Sequence, residues 1–178
     1  MKKEKFGMKL TMQLKQRSYD IILKAGCLKN LHQFTNTANR KVFVLTDSGV
    51  PAQYAQTVAD QCPDARVYTI PQGEGSKSLK VYGEVLQAML DFDMTRADLL
   101  VSVGGGVVGD LGGFCAASYM RGIDFVNCPT TVLSQVDSSI GGKTAIDLGE
   151  TKNIVGAFWQ PKVVLVDFDT LTTLPERQ

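Results

Sequence analysis

Asp98-Leu-Leu-Val-Ser-Val103 runs directly into Gly104-Gly-Gly-Val-Val-Gly-Asp110. A short β-branched run, three glycines and a further apolar stretch predict a strand, a tight turn and a helix that continues to about Met120. A helix N-terminus presents unpaired N–H groups and a partial positive charge, so bare glycine backbone there suits a phosphate. The helix is unusual in its small residues. Gly109, Gly112, Gly113, Ala116 and Ala117 fall on roughly one face, although each interior glycine costs about 1 kcal/mol against alanine. Such a face implies that another backbone, or a flat ligand, lies very close to it.

On both sides of this unit, apolar runs alternate with helical patterns. Residues 10–14 and 19–23 read as a strand pair turning at 15–18, a short N-terminal β-hairpin. Helices are predicted over 27–38, 50–61 (with Pro51 in its first turn), 78–92 and 131–138. Strands are predicted over 41–45, 65–70, 123–128 and 163–167, with a further short one at 144–147. Strands that are apolar on both faces and alternate with helices form a mostly parallel sheet covered on both sides. No repeat, low-complexity tract or linker interrupts the pattern, so residues 1–178 read as one α/β domain. The chain stops at Leu174-Pro-Glu-Arg-Gln178 without a closing helix, and is read as a domain cut from something longer.

The composition narrows the partners. The chain is 44% hydrophobic and 21% charged, with a formal net charge of +1. That balance offers no basic stripe for a nucleic-acid backbone, and aromatic residues are not interleaved with Lys or Arg. Met1-Lys-Lys-Glu-Lys-Phe-Gly-Met8 has no apolar signal core. No run approaches the ~18 residues that span a bilayer. No membrane partner is expected, and a cytoplasmic location is. Cys27, Cys62, Cys115 and Cys128 lie in or beside apolar runs without C-x-x-C spacing, and read as buried free thiols. His32 is the whole imidazole inventory; it reads as a surface residue, and the chain cannot assemble a His- or Cys-rich zinc set.

Polar residues gather after the strands, where open α/β sheets bind ligands. Asp47 follows one strand, Glu74 and Lys77 the next, and the glycine turn the one after. Thr130 and Thr131 end another strand, and Thr170 to Thr173 follow the last. Taken singly, each reads more readily as a turn or cap residue, and it is their clustering that points to a cleft. Asp47 is placed to bind ribose hydroxyls, although the triple glycine is not the G-x-G-x-x-G of a first strand. Asp137, Lys143, Lys152 and Asn153 stand among Ser138, Ser139, Gly141 and Gly142. Lysines on glycine-rich backbone make an anion site, and a carboxylate beside them can move a proton or hold an ion pair. The plainer alternative is two solvated lysines and a helix-end aspartate.

Three stretches carry a family resemblance: Gly104 to Phe114, Ala117-Ser-Tyr-Met-Arg-Gly122, and Pro129-Thr-Thr-Val-Leu-Ser-Gln-Val-Asp-Ser-Ser-Ile-Gly-Gly-Lys-Thr144. Lys152-Asn153, Gly156-Ala-Phe158, Val164-Leu-Val-Asp167 and Leu171-Thr-Thr-Leu-Pro175 extend it. The chain resembles the amino-terminal half of the 3-dehydroquinate synthase family, from about residue 10 onward. The resemblance implies a Rossmann-like NAD-binding α/β domain, followed in the family by a helical, metal-binding carboxyl-terminal domain. It implies a NAD site at Asp47, Glu74, Lys77, Gly105, Gly106, Val107, Asp110, Thr130, Thr131, Lys143, Lys152, Thr170, Leu171, Thr172 and Thr173. It implies substrate-facing or catalytic roles for Arg121, Asp137, Lys143, Lys152 and Asn153. Lys143 and Asn153 would hold anionic groups, Lys152 would lie near the nicotinamide, and Arg121 would reach the site of the other subunit of a homodimer. The implied reaction is a carbon–oxygen lyase step in the shikimate pathway. NAD oxidises a ring alcohol of 3-deoxy-D-arabino-heptulosonate 7-phosphate transiently, phosphate leaves, the ketone is reduced back and an aldol step closes the ring. The implied divalent metal, zinc or cobalt, takes its ligands outside this chain, so the chain alone is expected to be inactive. Aminocyclitol-forming cyclases, polyol or iron-dependent dehydrogenases, and a non-catalytic nucleotide-binding module are the alternative readings.

Overall fold

The computed structural model describes residues 7–176. Its centre is a seven-stranded sheet built from β1 (Met8–Met12), β2 (Tyr19–Leu23), β3 (Lys41–Asp47), β4 (Asp64–Ile70), β5 (Leu99–Gly104), β6 (Asp124–Pro129) and β9 (Val163–Val166). The spatial order is β1-β2-β9-β6-β5-β3-β4. Only β1 with β2 is antiparallel; every other pair in this sheet is parallel. The mostly parallel sheet with an N-terminal hairpin is thus as expected.

Alternate residues of each central strand feed two separate cores. Phe43, Leu45 and Leu100 point to the side of α2 (Leu79–Leu90) and α3 (Gly106–Ser118), where they meet Val85, Met89, Leu111 and Cys115. Val42, Val44, Leu99 and Val101 point to the other side. There they meet α1 (Ala52–Ala59) and a 3-10 segment, Cys27–Gln33, through Ala55, Val58, Leu28 and Leu31. That segment is kinked at Asn30, and replaces the regular helix expected over 27–38.

Two further expectations change. The helix expected over 131–138 contains a π-helical turn, Ser134–Ser138. The expected short strand at 144–147 is β7 (Lys143–Leu148), and it pairs with β8 (Thr151–Phe158) in a separate antiparallel hairpin. The sequence reading held no strand at β8. Its side chains are mostly exposed, so no buried alternation marks it.

The glycine face of α3 is packed against protein. A Cβ on Gly112 would run into Ser102 Oγ and lie 3.1 Å from Leu45; one on Gly113 would run into Thr144 of β7. Of the two expected explanations, close approach of another element accounts for these two glycines. They let α3 sit down on β5 and let β7 sit down on α3.

Candidate functional site

The order β6-β5-β3-β4 reverses direction between β3 and β5, because the chain goes from β3 out to β4 and crosses back to β5. At such a switch point the loops beyond the strand ends diverge and leave a crevice. The turn Gly104-Gly105-Gly106 opens at this point. Gly105 is the N-cap of α3 and supplies no side-chain cap. The first-turn N–H groups of α3 are therefore available to an outside acceptor.

Clefts lie on both sides of that helix end. The first, about 530 Å³, is lined by Asp47, Gly105, Thr130, Thr131, Thr170 and Thr173, with Tyr54 and Gln72-Gly73 among its other walls. The second, about 440 Å³, is lined by Asp110, Asp137, Ser138, Lys143 and Asn153, with Ile154 and Phe158 at its apolar side. Gly106 separates them and backs onto Ser138, whose Oγ a Cβ there would meet at 3.1 Å.

Several expected ligand groups have structural work as well. Asp47 Oδ1 accepts from the Gly49 and Val50 N–H groups at 2.8 and 3.1 Å, which shapes the turn after β3. The buried Thr170 hydroxyl donates to the Asp167 carbonyl at 2.7 Å and lies 3.2 Å from Gln135 Nε2. The hydroxyl of Thr172 is bonded to Asp169 O, and that of Thr173 to Thr170 O and Tyr54. Thr131 and Ser134 bond reciprocally at the start of the 131–138 segment. Leu171 is half-buried within the same 3-10 segment, Phe168–Thr173. Val107 is half-buried in the first turn of α3.

The charged centre is Lys77. Its side chain is only 4% exposed, and Nζ donates to Asp110 Oδ2 at 2.8 Å and to Asn153 Oδ1. Glu74 Oε1 lies 3.8 Å from it, and 3.6 Å from the exposed Lys152 Nζ. Burial pushes the Asp110 carboxyl above its ordinary value; the Lys77 ammonium pulls it back without reversing the shift. Lys143 is exposed at the cleft, and its charge also favours ionised Asp110. Residues from the loop after β4, from α3, β7 and β8 are thus drawn to one point. Such an array can fix a dinucleotide at the helix end and hold an anionic oxygen beside it.

Arg121 is not brought there. It lies beyond the carboxyl end of α3, exposed, in a run of three left-handed residues with Met120 at φ 48°, Arg121 at 67° and Gly122 at 120°. Sequence reasoning missed Tyr54, Gln72 and Asp147, and named Ser138 only among the small residues around Lys143. Tyr54 and Gln72 carry no pattern beyond their neighbours; Asp147 becomes visible only through the β7–β8 pairing. Among the described residues no group of three or more His, Cys, Asp or Glu is placed to hold a metal ion, and no helix is long and apolar enough to cross a membrane.

A family model described as 3-dehydroquinate synthase N-terminal matches residues 67–178. The chain belongs to the 3-dehydroquinate synthase family. A 3-dehydroquinate synthase of Clostridium botulinum (strain Alaska E43 / Type E3) is 45% identical over 174 residues, which are 94% of this chain and 50% of that relative. The chain therefore spans about half the length of the curated relatives it matches. Two solved structures are similar across nearly the whole chain. One is 2-deoxy-scyllo-inosose synthase complexed with carbaglucose-6-phosphate, NAD+ and Co2+: 26% identity, TM-score 0.89, covering 96% of this chain and 48% of that one. The other is 2-epi-5-epi-valiolone synthase from Streptomyces hygroscopicus subsp. jinggangensis 5008 with NAD+ and Zn2+ bound: 28% identity, TM-score 0.79, covering 93% and 47%.

Proposed function

We propose that the chain is the nucleotide-binding part of a 3-dehydroquinate synthase, an enzyme that converts 3-deoxy-D-arabino-heptulosonate 7-phosphate to 3-dehydroquinate and phosphate. The observation that carries this reading is the uncapped N-terminus of α3 standing between two clefts, in a chain of this family. Identity near 45% to a 3-dehydroquinate synthase, against 26% to an aminocyclitol-forming cyclase, favours the former substrate.

The larger cleft fits NAD. Its donors are backbone amides at a helix end, and Gly105 leaves the approach open, a Cβ there lying 3.4 Å from Thr131. When bound, NAD supplies a hydride acceptor for a ring alcohol and returns the hydride after phosphate has left. In this reading Gly105, Gly106 and Val107 receive the pyrophosphate through main-chain N–H groups. The uncommitted oxygen of Asp47 takes a ribose hydroxyl, while Thr130, Thr131 and the 170–173 turn close the walls. Asp110 lines the smaller cleft, and with Glu74 and Lys77 it would meet the nicotinamide end where the cofactor passes the N-terminus of α3, with Lys152 at the edge. Lys143 and Asn153 hold anionic groups of the sugar phosphate, and Asp137 is the available carboxylate for proton movement. The described residues do not fit a divalent metal, and the proposal assigns none to them. Homodimerisation, with Arg121 reaching the other subunit, and a cytoplasmic location belong to the same reading.

Calorimetric titration of NAD into the purified chain tests it. A saturable heat is expected, together with no formation of 3-dehydroquinate by the chain alone. No saturable heat at millimolar NAD sinks the cofactor assignment, and turnover by the chain sinks the assignment of the remaining machinery to residues beyond it.

A further inference from the structure

Lys77, Asp147 and Asn153 close a ring of hydrogen bonds at the edge of the smaller cleft. The Asp147 N–H donates to the Lys77 carbonyl at 2.7 Å. The Asn153 N–H donates to Asp147 Oδ1 at 2.8 Å, and Lys77 Nζ donates to Asn153 Oδ1. The three members come from the loop after β4, from β7 and from β8, so the ring fastens the small hairpin to the main sheet's loops.

The ring sits where the β7–β8 ladder is irregular. The register shifts between Ile146 and Leu148, and Asn153 stands at φ 54°, a left-handed conformation that asparagine adopts more readily than most residues. The Asp147 carboxylate takes the main-chain N–H that this conformation turns away from the ladder. Asp147 itself does not line the cleft; Asn153 does.

The chemical consequence lies in the Asn153 amide. An ammonium has three donors and no acceptor, so only the amide oxygen can face Lys77. The amide nitrogen is thereby directed away from Lys77, and among the described residues it has no protein acceptor. An unpinned amide could offer a ligand either its oxygen or its nitrogen. Pinned in this way, Asn153 offers a donor, beside the ammonium of Lys143.

We infer that Asp147 is a positioning residue that fixes Asn153 as a hydrogen-bond donor and so makes the smaller cleft selective for acceptor oxygens, as of a phosphate or carboxylate. It acts through Asn153 and touches no ligand. The inference rests on the proposed function only in taking this cleft as a substrate site.

The test titrates inorganic phosphate into isotope-labelled chain, following the amide signals of Lys143 and Asn153, with NAD titrated separately by calorimetry. Asp147→Ala is expected to weaken phosphate binding about five- to tenfold and to release the Asn153 N–H to rapid hydrogen exchange. Asp147→Asn keeps a side-chain oxygen for that N–H, and is expected to stay within about twofold of the parent. Asn153→Asp still satisfies Lys77 but shows the cleft an acceptor in place of a donor; it is expected to lose phosphate affinity by about tenfold or more, and it gives the answer if Asp147→Ala does not fold. The inference is overturned by a parent chain that binds no phosphate at about 100 mM. It is equally overturned if Asn153→Asp or folded Asp147→Ala binds phosphate like the parent, or if Asp147→Asn fails as badly as Asp147→Ala. Loss of NAD binding with the phosphate series intact sinks the cofactor assignment and leaves the ring standing.

Discussion

Asp98, the residue before β5, is 5% exposed and is held by donors from two segments. It accepts from the Lys41 N–H at 2.7 Å and from the Thr95 N–H and hydroxyl at 2.5 and 2.8 Å. Burial works against its ionisation, but these donors and the nearby Arg40 outweigh it and hold the carboxyl below its ordinary value. A carboxylate whose folded pKa lies below the unfolded value of about 3.9 stabilises the fold above that pH, and the stabilisation is lost as pH falls through the folded value. Asp98→Asn is therefore expected to cost about 1–3 kcal/mol at pH 7 and less at pH 3. Urea titrations at the two pH values check this; equal losses at both contradict it. In the thiols burial acts in the same direction and prevails, pushing Cys27 up to about 12 and Cys62 up to about 11. At pH 8 a disulfide reagent is expected to reach half-buried Cys62 first. Cys27, Cys115 and Cys128 are expected to react only as fast as the chain opens, which time-resolved labelling with mass spectrometry reads directly.

At the scale of elements, α3 trades helix propensity for proximity. Alanine is the better helix former by about 1 kcal/mol, yet Gly112→Ala is expected to destabilise the chain by about 1–3 kcal/mol because its Cβ enters space held by Ser102, Leu45 and Leu100. Adding Ser102→Ala is expected to recover part of that loss, measured as a double-mutant cycle by denaturant titration. A neutral or stabilising Gly112→Ala contradicts the packing account. The same elements show what the sequence makes legible. The parallel strands are apolar on both faces and could be read with their order in the chain; β8 could not, because its side chains are exposed and its ladder is bent at Asn153. The rule that ligands gather beyond strand ends pointed to the larger cleft, and the lysines on glycine-rich backbone pointed to the smaller one. Neither could reveal that the Thr170 hydroxyl is spent locally on the Asp167 carbonyl, or that Lys77 is buried against Asp110 and Asn153, a pairing made across long stretches of chain. The small-residue face of α3 was legible as close approach, but not which element approached.

For the whole molecule, position matters more than strength. The two larger cores lie on opposite faces of one sheet, and the crevice opens at the one reversal in its parallel order among the described residues. β9 is only four residues long, yet it lies between β2 and β6. Asp167, directly after it, accepts the Gly26 and Leu28 N–H groups at 2.7 and 3.0 Å. A chain ending at Gln160 is expected to be aggregation-prone and to lose most of its cooperative unfolding, because β2 and β6 then become open edges; scattering and thermal melting check it. The same geometry sets an order of events during synthesis. The β1–β2 hairpin is made first but has no place in the sheet until residues 163–166 have left the ribosome. Pairing Asp20 with Val163 is a step of high contact order, so a strand made early is locked in only after a much later one has emerged.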